Sequence, residues 1–189
     1  MTRRRARATD ALATLDAALP PVGALVNNAG ITSPVPFLEV DDAEWDRVFA
    51  VNVRGAYNVT RRLALGLVER GFGRIVFLSS VSAERGGGVF GGVAYSAAKA
   101  GQLGFARALA RELGSHGVTV NSVAPGLIDT DITGGALEGE RKEALLAGIP
   151  VGRNGRVEDV ADLITYLCRP ETGYITGATF DVNGGSHVH

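Results

Sequence analysis

Short apolar runs of strand length alternate with helical patterns along the whole of this 189-residue chain. The runs end in residues that favour turns, and the segments between them space their apolar side chains as a helix does. This alternation is typical of a parallel sheet that helices cover on both faces. The predicted strands are residues 24–26, 75–78, 118–123 and 179–182. With no repeat or linker evident, the sequence predicts one doubly wound α/β domain over residues 1–189.

The helical segments place apolar side chains on one face. A helix is expected to begin near Asp42, with acidic residues in its first turn and Trp45 and Val48 among its apolar face. The other predicted helices cover residues 95–113, 140–146 and 157–167.

Composition excludes several classes of protein. The chain is 46% apolar and 21% charged, as is usual for soluble globular proteins, and its net charge of −1 argues against a nucleic-acid partner. No apolar run approaches the roughly 20 residues of a membrane helix. The basic cluster at residues 3–7 has no apolar signal core behind it. Cys168 is the only cysteine, so no intramolecular disulfide can form, and we expect a cytoplasmic protein.

Three loops rich in Gly, Ser, Thr or Asn follow predicted strands. They are residues 27–30, 79–92 and 125–133. Ligands of open parallel sheets bind beyond the carboxyl ends of the strands, where these loops would meet. The sequence therefore predicts a ligand crevice at that edge of the sheet.

Tyr95 and Lys99 are four residues apart, so a helix places them on one face. A tyrosine with a pKa of about 10 exchanges protons poorly at neutral pH, and a nearby cation favours its phenolate form. Such pairs also arise by chance on many helices. The pair therefore indicates a catalytic site only together with other polar residues of the crevice.

Two further polar positions allow more than one interpretation. Ser79, Ser80 and Ser82 follow a predicted buried strand, and at least one hydroxyl should face the crevice, although any of them could serve only a turn or a helix cap. Asn52 falls inside the helix that begins near Asp42. Either it is buried and holds a water or props open the helix ladder, or it faces solvent.

Together these motifs resemble the short-chain dehydrogenase/reductase family, most closely the branch of β-ketoacyl-acyl-carrier-protein reductases and sugar or polyol dehydrogenases. The resemblance covers essentially the whole chain and includes the closing Tyr174-Ile175-Thr176-Gly177. It implies a Rossmann-like fold, NAD or NADP as cofactor, a small alcohol or ketone as substrate, no metal site and a homotetramer. The matching motifs are Asn27-Asn28-Ala29-Gly30, Asn52, Ser80, Tyr95-x-x-x-Lys99 and Pro125-Gly126-x-x-x-Thr130.

The resemblance also implies a role for each matching residue. Tyr95 would be the general acid or base, and Lys99 would lower its pKa and bind the nicotinamide ribose. Ser80 would polarise the carbonyl, and Asn52 would hold a water that links Lys99 to solvent. The remaining cofactor-binding residues would be Asn28, Ala29 and Gly30 on the adenosine side, and Ile128 and Thr130 at the nicotinamide carboxamide.

Two features depart from the family pattern. Ser80 lies 15 residues before Tyr95, slightly more than is usual in the family, so Ser82 at 13 is the alternative by spacing. No Gly-x-x-x-Gly-x-Gly turn precedes Asn27. About 60 residues, two strand–helix units, are expected to be lacking, whether by fragmentation, a misplaced start or natural loss. The strand at residues 24–27 should then be an exposed sheet edge.

Two functions follow from these observations. The first is an oxidoreductase that interconverts a secondary alcohol and a ketone by hydride transfer with NAD or NADP. The alternative is a non-catalytic, truncated member of the family that acts through association with other chains. The residues Asn52, Ser80, Tyr95 and Lys99 favour the first, and the lacking phosphate loop favours the second.

Overall fold

The computed structural model describes residues 20–88, 90–130 and 139–188. Its centre is a parallel four-stranded sheet in the spatial order β1-β2-β3-β4. The predicted parallel α/β architecture is therefore confirmed. The strands are β1 (Ala24–Asn27), β2 (Gly73–Leu78), β3 (Val118–Pro125) and β4 (Thr179–Val182).

Helices connect the strands in the predicted order. As the acidic start predicts, α1 begins after Asp41, whose Oδ1 accepts the backbone N–H of Glu44 at 2.8 Å. No helix in the described part of the chain has the length and apolarity to cross a membrane. The helices are α1 (Asp42–Phe49), a π-helical turn (Ala50–Gly55), α2 (Ala56–Glu69), α3 (Ser82–Arg85), α4 (Val93–Leu113), α5 (Gly139–Ala147) and α6 (Val157–Leu167).

The alternation of side chains along β2 creates two apolar cores. Ile75 and Phe77 face one side of the sheet, where they pack against Leu67 of α2 and residues of α4. Val76 faces the other side and packs against Val160 of α6. Burying one such side chain stabilises the fold by about 1.5–3 kcal/mol. The two cores hold the carboxyl ends of the strands in fixed positions.

In the described part of the chain, β1 pairs with one neighbour, β2, and is therefore a sheet edge, as predicted. Leu25 is buried in the core beneath α2, whereas Val26, on the opposite face, is 39% exposed. At its carboxyl end the strand is held by Asn27, whose Nδ2 donates to Thr60 Oγ1 at 2.9 Å. This contact fixes the start of the loop that enters the ligand crevice.

Candidate active site

A cavity of about 650 Å³ lies beyond the carboxyl ends of β1, β2 and β3. All three predicted loops contribute to it, although residues 131–133 lie outside the described residues. One side is polar and the other, from α5 and α6, is apolar. Its lining includes Asn28, Gly30, Thr32, Ser80, Ser82, Arg85, Phe90, Tyr95, Lys99, Ile128, Thr130, Ile149, Val160 and Ile164.

Tyr95 and Lys99 enter the cavity from the first two turns of α4. The Nζ of Lys99 lies 5.8 Å from the centroid of the Tyr95 ring. Lys99 is only 4% exposed, and its Nζ donates to the carbonyl of Leu78 at the end of β2. In the reverse direction, Ser79 Oγ donates to the Lys99 carbonyl at 2.9 Å. These two bonds join α4 to the end of β2 and fix the position of the ammonium.

The pKa of Tyr95 departs from what the family resemblance implies. Burial raises the pKa of this phenol, and hydrogen bonding by the Ser80 side chain works in the opposite direction. Burial also lowers the pKa of Lys99 to about 8. The net direction for the Tyr95 pKa is therefore upward, opposite to the one that the resemblance implies. The physical reason is desolvation, which disfavours the charged form of both groups.

Ser80 and Ser82 both line the cavity and are both 8% exposed. Ser80 Oγ accepts the backbone N–H of Ser82 at 3.1 Å, and the Ser80 side chain also hydrogen-bonds the Tyr95 phenol. Ser82 Oγ lies 3.0 Å from the position that a Cβ would take on Gly91, next to the Tyr95 ring. Of the two hydroxyls, that of Ser80 acts on the pKa of the Tyr95 phenol.

Asn52 is fully buried, so the interpretation of a solvent-facing asparagine is wrong. It lies in the π-helical turn, and its Nδ2 donates to the carbonyls of Val48 at 2.9 Å and Ile31 at 3.0 Å. Its Oδ1 accepts the N–H of Ile31 at 3.3 Å. The side chain thus hydrogen-bonds backbone groups of both α1 and the loop after β1, which joins this loop to α1 and the π-helical turn.

Gln102 is a site residue that the sequence reasoning missed. Its side chain is fully buried, its Nε2 donates to the Asn52 carbonyl at 2.6 Å, and its Oε1 accepts from Lys99 Nζ at 3.4 Å. The available signal was its spacing. A polar residue three positions after Lys99 lies on the same face of an alanine-rich helix.

Gly30, in the loop after β1, lies next to Asn52 and Lys99. A Cβ on this residue would lie 2.8 Å from Asn52 Oδ1 and 3.3 Å from Lys99 Nζ. Glycine therefore leaves a space that any side chain would fill. Asn28, Ile128 and Thr130 line the same cavity.

Of the predicted cofactor contacts, Ala29 lies away from the cavity lining, whereas Ile128 belongs to it. Ala29 is exposed and is not among the residues that line the cavity. Ile128 is held by a parallel bridge to Gly155, where a Cβ would lie 2.4 Å from Ile128 Cδ1. A side chain at position 155 would therefore force the Ile128 side chain to shift, a relationship that sequence reasoning did not identify.

The described residues fit the nicotinamide end of a dinucleotide. The space at Gly30 borders a buried ammonium and a buried amide, which suit a ribose hydroxyl. The apolar wall formed by Ile128, Val160 and Ile164 suits a flat aromatic ring.

Comparisons with known proteins agree with this geometry. A family model described as enoyl-(acyl carrier protein) reductase matches residues 3–187. An uncharacterized short-chain type dehydrogenase/reductase of Sinorhizobium fredii is 50% identical over 165 residues, covering 87% of this chain and 65% of that protein. Acetoacetyl-CoA reductase of Allochromatium vinosum is 44% identical over 169 residues, covering 89% of this chain and 68% of the relative. The chain thus spans about two thirds of the length of these relatives.

The fold is also shared with a solved structure. The crystal structure of a candidate gluconate dehydrogenase from Agrobacterium tumefaciens superposes with a TM-score of 0.90 at 30% sequence identity. The match covers 98% of this chain and 73% of that one. On the family model, the relatives and this fold, the chain belongs to the short-chain dehydrogenase/reductase family.

Proposed function

We propose that this chain interconverts a secondary alcohol and a ketone with NAD or NADP. The observation that carries the proposal is the convergence of Ser80, Tyr95 and Lys99 on one cavity, with Asn52 directly behind the open space at Gly30. A hydroxyl, a phenol and an ammonium at these positions can bind a carbonyl oxygen and move a proton to or from it.

In the reduction, the Ser80 hydroxyl donates a hydrogen bond to the ketone oxygen, and Tyr95 donates its proton as that oxygen gains negative charge. A phenol is protonated at neutral pH even at its ordinary pKa of about 10, which suits a proton donor, and burial raises the pKa of Tyr95 further. In the oxidation, Tyr95 must first lose its proton, so this direction gains from alkaline pH. The ammonium of Lys99 stabilises the phenolate electrostatically as long as it stays charged.

NAD or NADP, when bound, supplies the hydride for reduction and accepts it in oxidation. Lys99 would bind its nicotinamide ribose beside the space at Gly30, Asn28 would line the adenosine side, and Ile128 and Thr130 would contact the nicotinamide carboxamide. Gln102 and Asn52 keep Lys99 and the β1 loop in place. The apolar side chains of α6 line the same cavity and would exclude water from the reacting atoms once coenzyme and substrate are bound.

The relatives support a carbonyl substrate. One is named acetoacetyl-CoA reductase, and the solved structure is described as a candidate gluconate dehydrogenase. A panel for this chain therefore includes 3-oxoacyl thioesters, keto forms of sugar acids, and neutral ketones.

Deuterium transfer tests the proposal. Each ketone is incubated with the two stereospecifically 4-deuterated forms of NADH and of NADPH, and the alcohol is analysed by mass spectrometry. We expect one deuterium at the carbinol carbon from one of the two coenzyme faces. Absence of deuterated alcohol with every substrate and both coenzymes would contradict the proposal and favour a non-catalytic protein that acts by association.

A further inference from the structure

Arg85, the last residue of α3, lines the cavity and has no role in the chemistry described above. Its Nη1 lies 3.5 Å from the carbonyl of Ser186, the outer limit of a hydrogen bond. No carboxylate of the described residues lies within ion-pair distance of its guanidinium. The cation therefore has most of its donors available to another molecule.

The charge of the cavity is positive in the described part of the chain. Its lining contains two charged side chains, Arg85 and Lys99, and neither Asp nor Glu. Lys99 is 4% exposed and directs its ammonium at the Leu78 carbonyl and at Gln102. Arg85 is exposed. It is consequently the cation that an entering substrate meets.

Glycines define where the guanidinium lies. Gly86, Gly87 and Gly88 follow Arg85 with φ angles of 73°, 66° and 132°, which end α3 in a turn that other residues rarely adopt. Arg85 Nη2 and Ser82 Oγ each lie 3.6 Å from the position a Cβ would take on Gly88. A Cβ on Gly88 would be in van der Waals contact with the guanidinium, and the φ angle of 132° disfavours any side chain there.

The Ser82 hydroxyl connects this cation to the reacting groups. Ser82 Oγ is 3.0 Å from the Cβ position of Gly91, and Tyr95 Cδ1 is 2.7 Å from the same point. The Ser82 hydroxyl thus neighbours the guanidinium at Gly88 and the phenol ring at Gly91, and all three side chains line the cavity.

We propose that Arg85 forms an oxyanion subsite, so that the preferred substrate carries a carboxylate or phosphate group in addition to its reacting alcohol or ketone. The inference rests on the proposed function and specifies its substrate class. The planar guanidinium binds such an oxyanion through two parallel hydrogen bonds. Ser82 then contacts the carbon chain between the oxyanion and the carbonyl held at Tyr95.

A series of matched substrates tests the subsite. Methyl ketones that end in a carboxylate, with four to eight carbons, are compared with their methyl esters in the wild type and in Arg85→Met. Arg111→Met, an exposed arginine of α4 that does not line the cavity, is the control. We expect Arg85→Met to lower kcat/KM for the best acid roughly tenfold to a hundredfold. The kcat/KM for its methyl ester and the KM for the coenzyme should stay unchanged.

Phosphate is distinguished from carboxylate in a second arm. Acetoacetyl-CoA is compared with the acetoacetyl thioester of N-acetylcysteamine, which has the same ketone and no phosphate. A loss confined to the coenzyme A thioester in Arg85→Met identifies a phosphate, and a loss confined to the acids identifies a carboxylate. Equal losses for charged and neutral substrates, or a raised coenzyme KM, would overturn the subsite.

Calorimetry separates failure of the subsite from failure of the proposed function. 6-Oxoheptanoate and its methyl ester are titrated into the wild type and Arg85→Met. If the wild type binds the acid and Arg85→Met binds it more weakly, the subsite is supported even when no substrate turns over. Lack of turnover would then count against the proposed function alone. Binding that is equal in both proteins, or absent in both, overturns the subsite.

Discussion

Gln102 Nε2 donates a 2.6 Å hydrogen bond to the backbone carbonyl of Asn52, while Gln102 Oε1 accepts from Lys99 Nζ at 3.4 Å. One fully buried amide thus joins the π-helical turn to the ammonium of the site. Because the Gln102 side chain makes both hydrogen bonds, its removal should affect the position of Asn52 and the charge of Lys99 together.

Replacing Gln102 by Leu should lower kcat for ketone reduction about tenfold. It should also move the alkaline limb of the pH profile, where kcat falls as Lys99 loses its proton, to lower pH. The reason is that Oε1 accepts from the charged form of Lys99, so its removal lowers the Lys99 pKa further. Gln102→Glu should move the same limb to higher pH, since a carboxylate favours the ammonium. The profiles are measured in steady state at the nicotinamide absorbance.

Asn121→Leu is the matched control for a purely structural effect. Asn121 is also a buried amide, donating to the Ile175 carbonyl at 2.8 Å, but it does not line the cavity. It should cost about 1–3 kcal/mol of stability and leave the pH profile in place. An unchanged profile in both Gln102 variants would contradict the positioning role.

Gly30→Ala should raise the coenzyme KM and lower kcat/KM at least tenfold. The new methyl group would lie 2.8 Å from Asn52 Oδ1 and 3.3 Å from Lys99 Nζ, and both groups are buried and hydrogen-bonded. Gly104→Ala is the control, because nothing lies within 4 Å of its Cβ position in α4. That variant should keep its activity and gain about 0.5–1 kcal/mol in stability. Equal coenzyme KM values for both variants would show that the space at Gly30 has no role.

The fold was largely predictable from the sequence because apolar runs and helical periodicity are local signals. Residues 75–78 form a continuous apolar run, and β2 extends it by two residues to Gly73–Leu78. The run at 118–123 continues to Pro125, since Ala124 and Pro125 pair with Asp181 and Val182 of β4. Strand ends depend on such neighbours, which a local pattern does not contain.

The site was predictable only in part, because burial and long-range contacts decide it. The position of Asn52 stayed open in the sequence, since its burial depends on where α4 packs. Gln102 was missed because its partner Asn52 lies 50 residues earlier in the chain. The direction of the Tyr95 pKa was predicted from the charge of Lys99 alone, and the sequence does not reveal how strongly burial opposes that charge.

Lys99 should make stability depend on pH in a defined direction. Burial lowers its pKa to about 8, below the value of about 10.4 in an unfolded chain. Between these values the unfolded chain holds more protons, so stability rises with pH. The unfavourable contribution of Lys99 is fully present below pH 8 and is relieved toward pH 10.4. The stability advantage of Lys99→Met over wild type should therefore shrink by about 2 kcal/mol from pH 7 to pH 9.5.

Urea unfolding at the two pH values measures this difference. Arg111→Met serves as the control, since its difference from wild type should not vary over the same range. A Lys99→Met difference that is equally independent of pH would show that Lys99 has an ordinary pKa in the folded chain.

Ser80→Ala should lower kcat about 10²- to 10³-fold, and Ser82→Ala should lower it much less for a neutral ketone. Ser80 acts on the Tyr95 phenol, whereas the Ser82 hydroxyl lies beside the ring. Steady-state rates with one neutral ketone compare the two variants. The reverse order would transfer the carbonyl-binding role to Ser82.

The central claim is that the Tyr95 hydroxyl moves the proton, and comparing kcat of Tyr95→Phe with that of Tyr174→Phe tests it most directly. Tyr174 is fully exposed and does not line the cavity, so its variant controls for loss of a phenol elsewhere. With a substrate that the wild type turns over, we expect Tyr95→Phe to lower kcat about 10²- to 10⁴-fold while unfolding as the wild type does. Tyr174→Phe should retain full activity. A folded Tyr95→Phe variant that keeps most of its turnover would contradict the account.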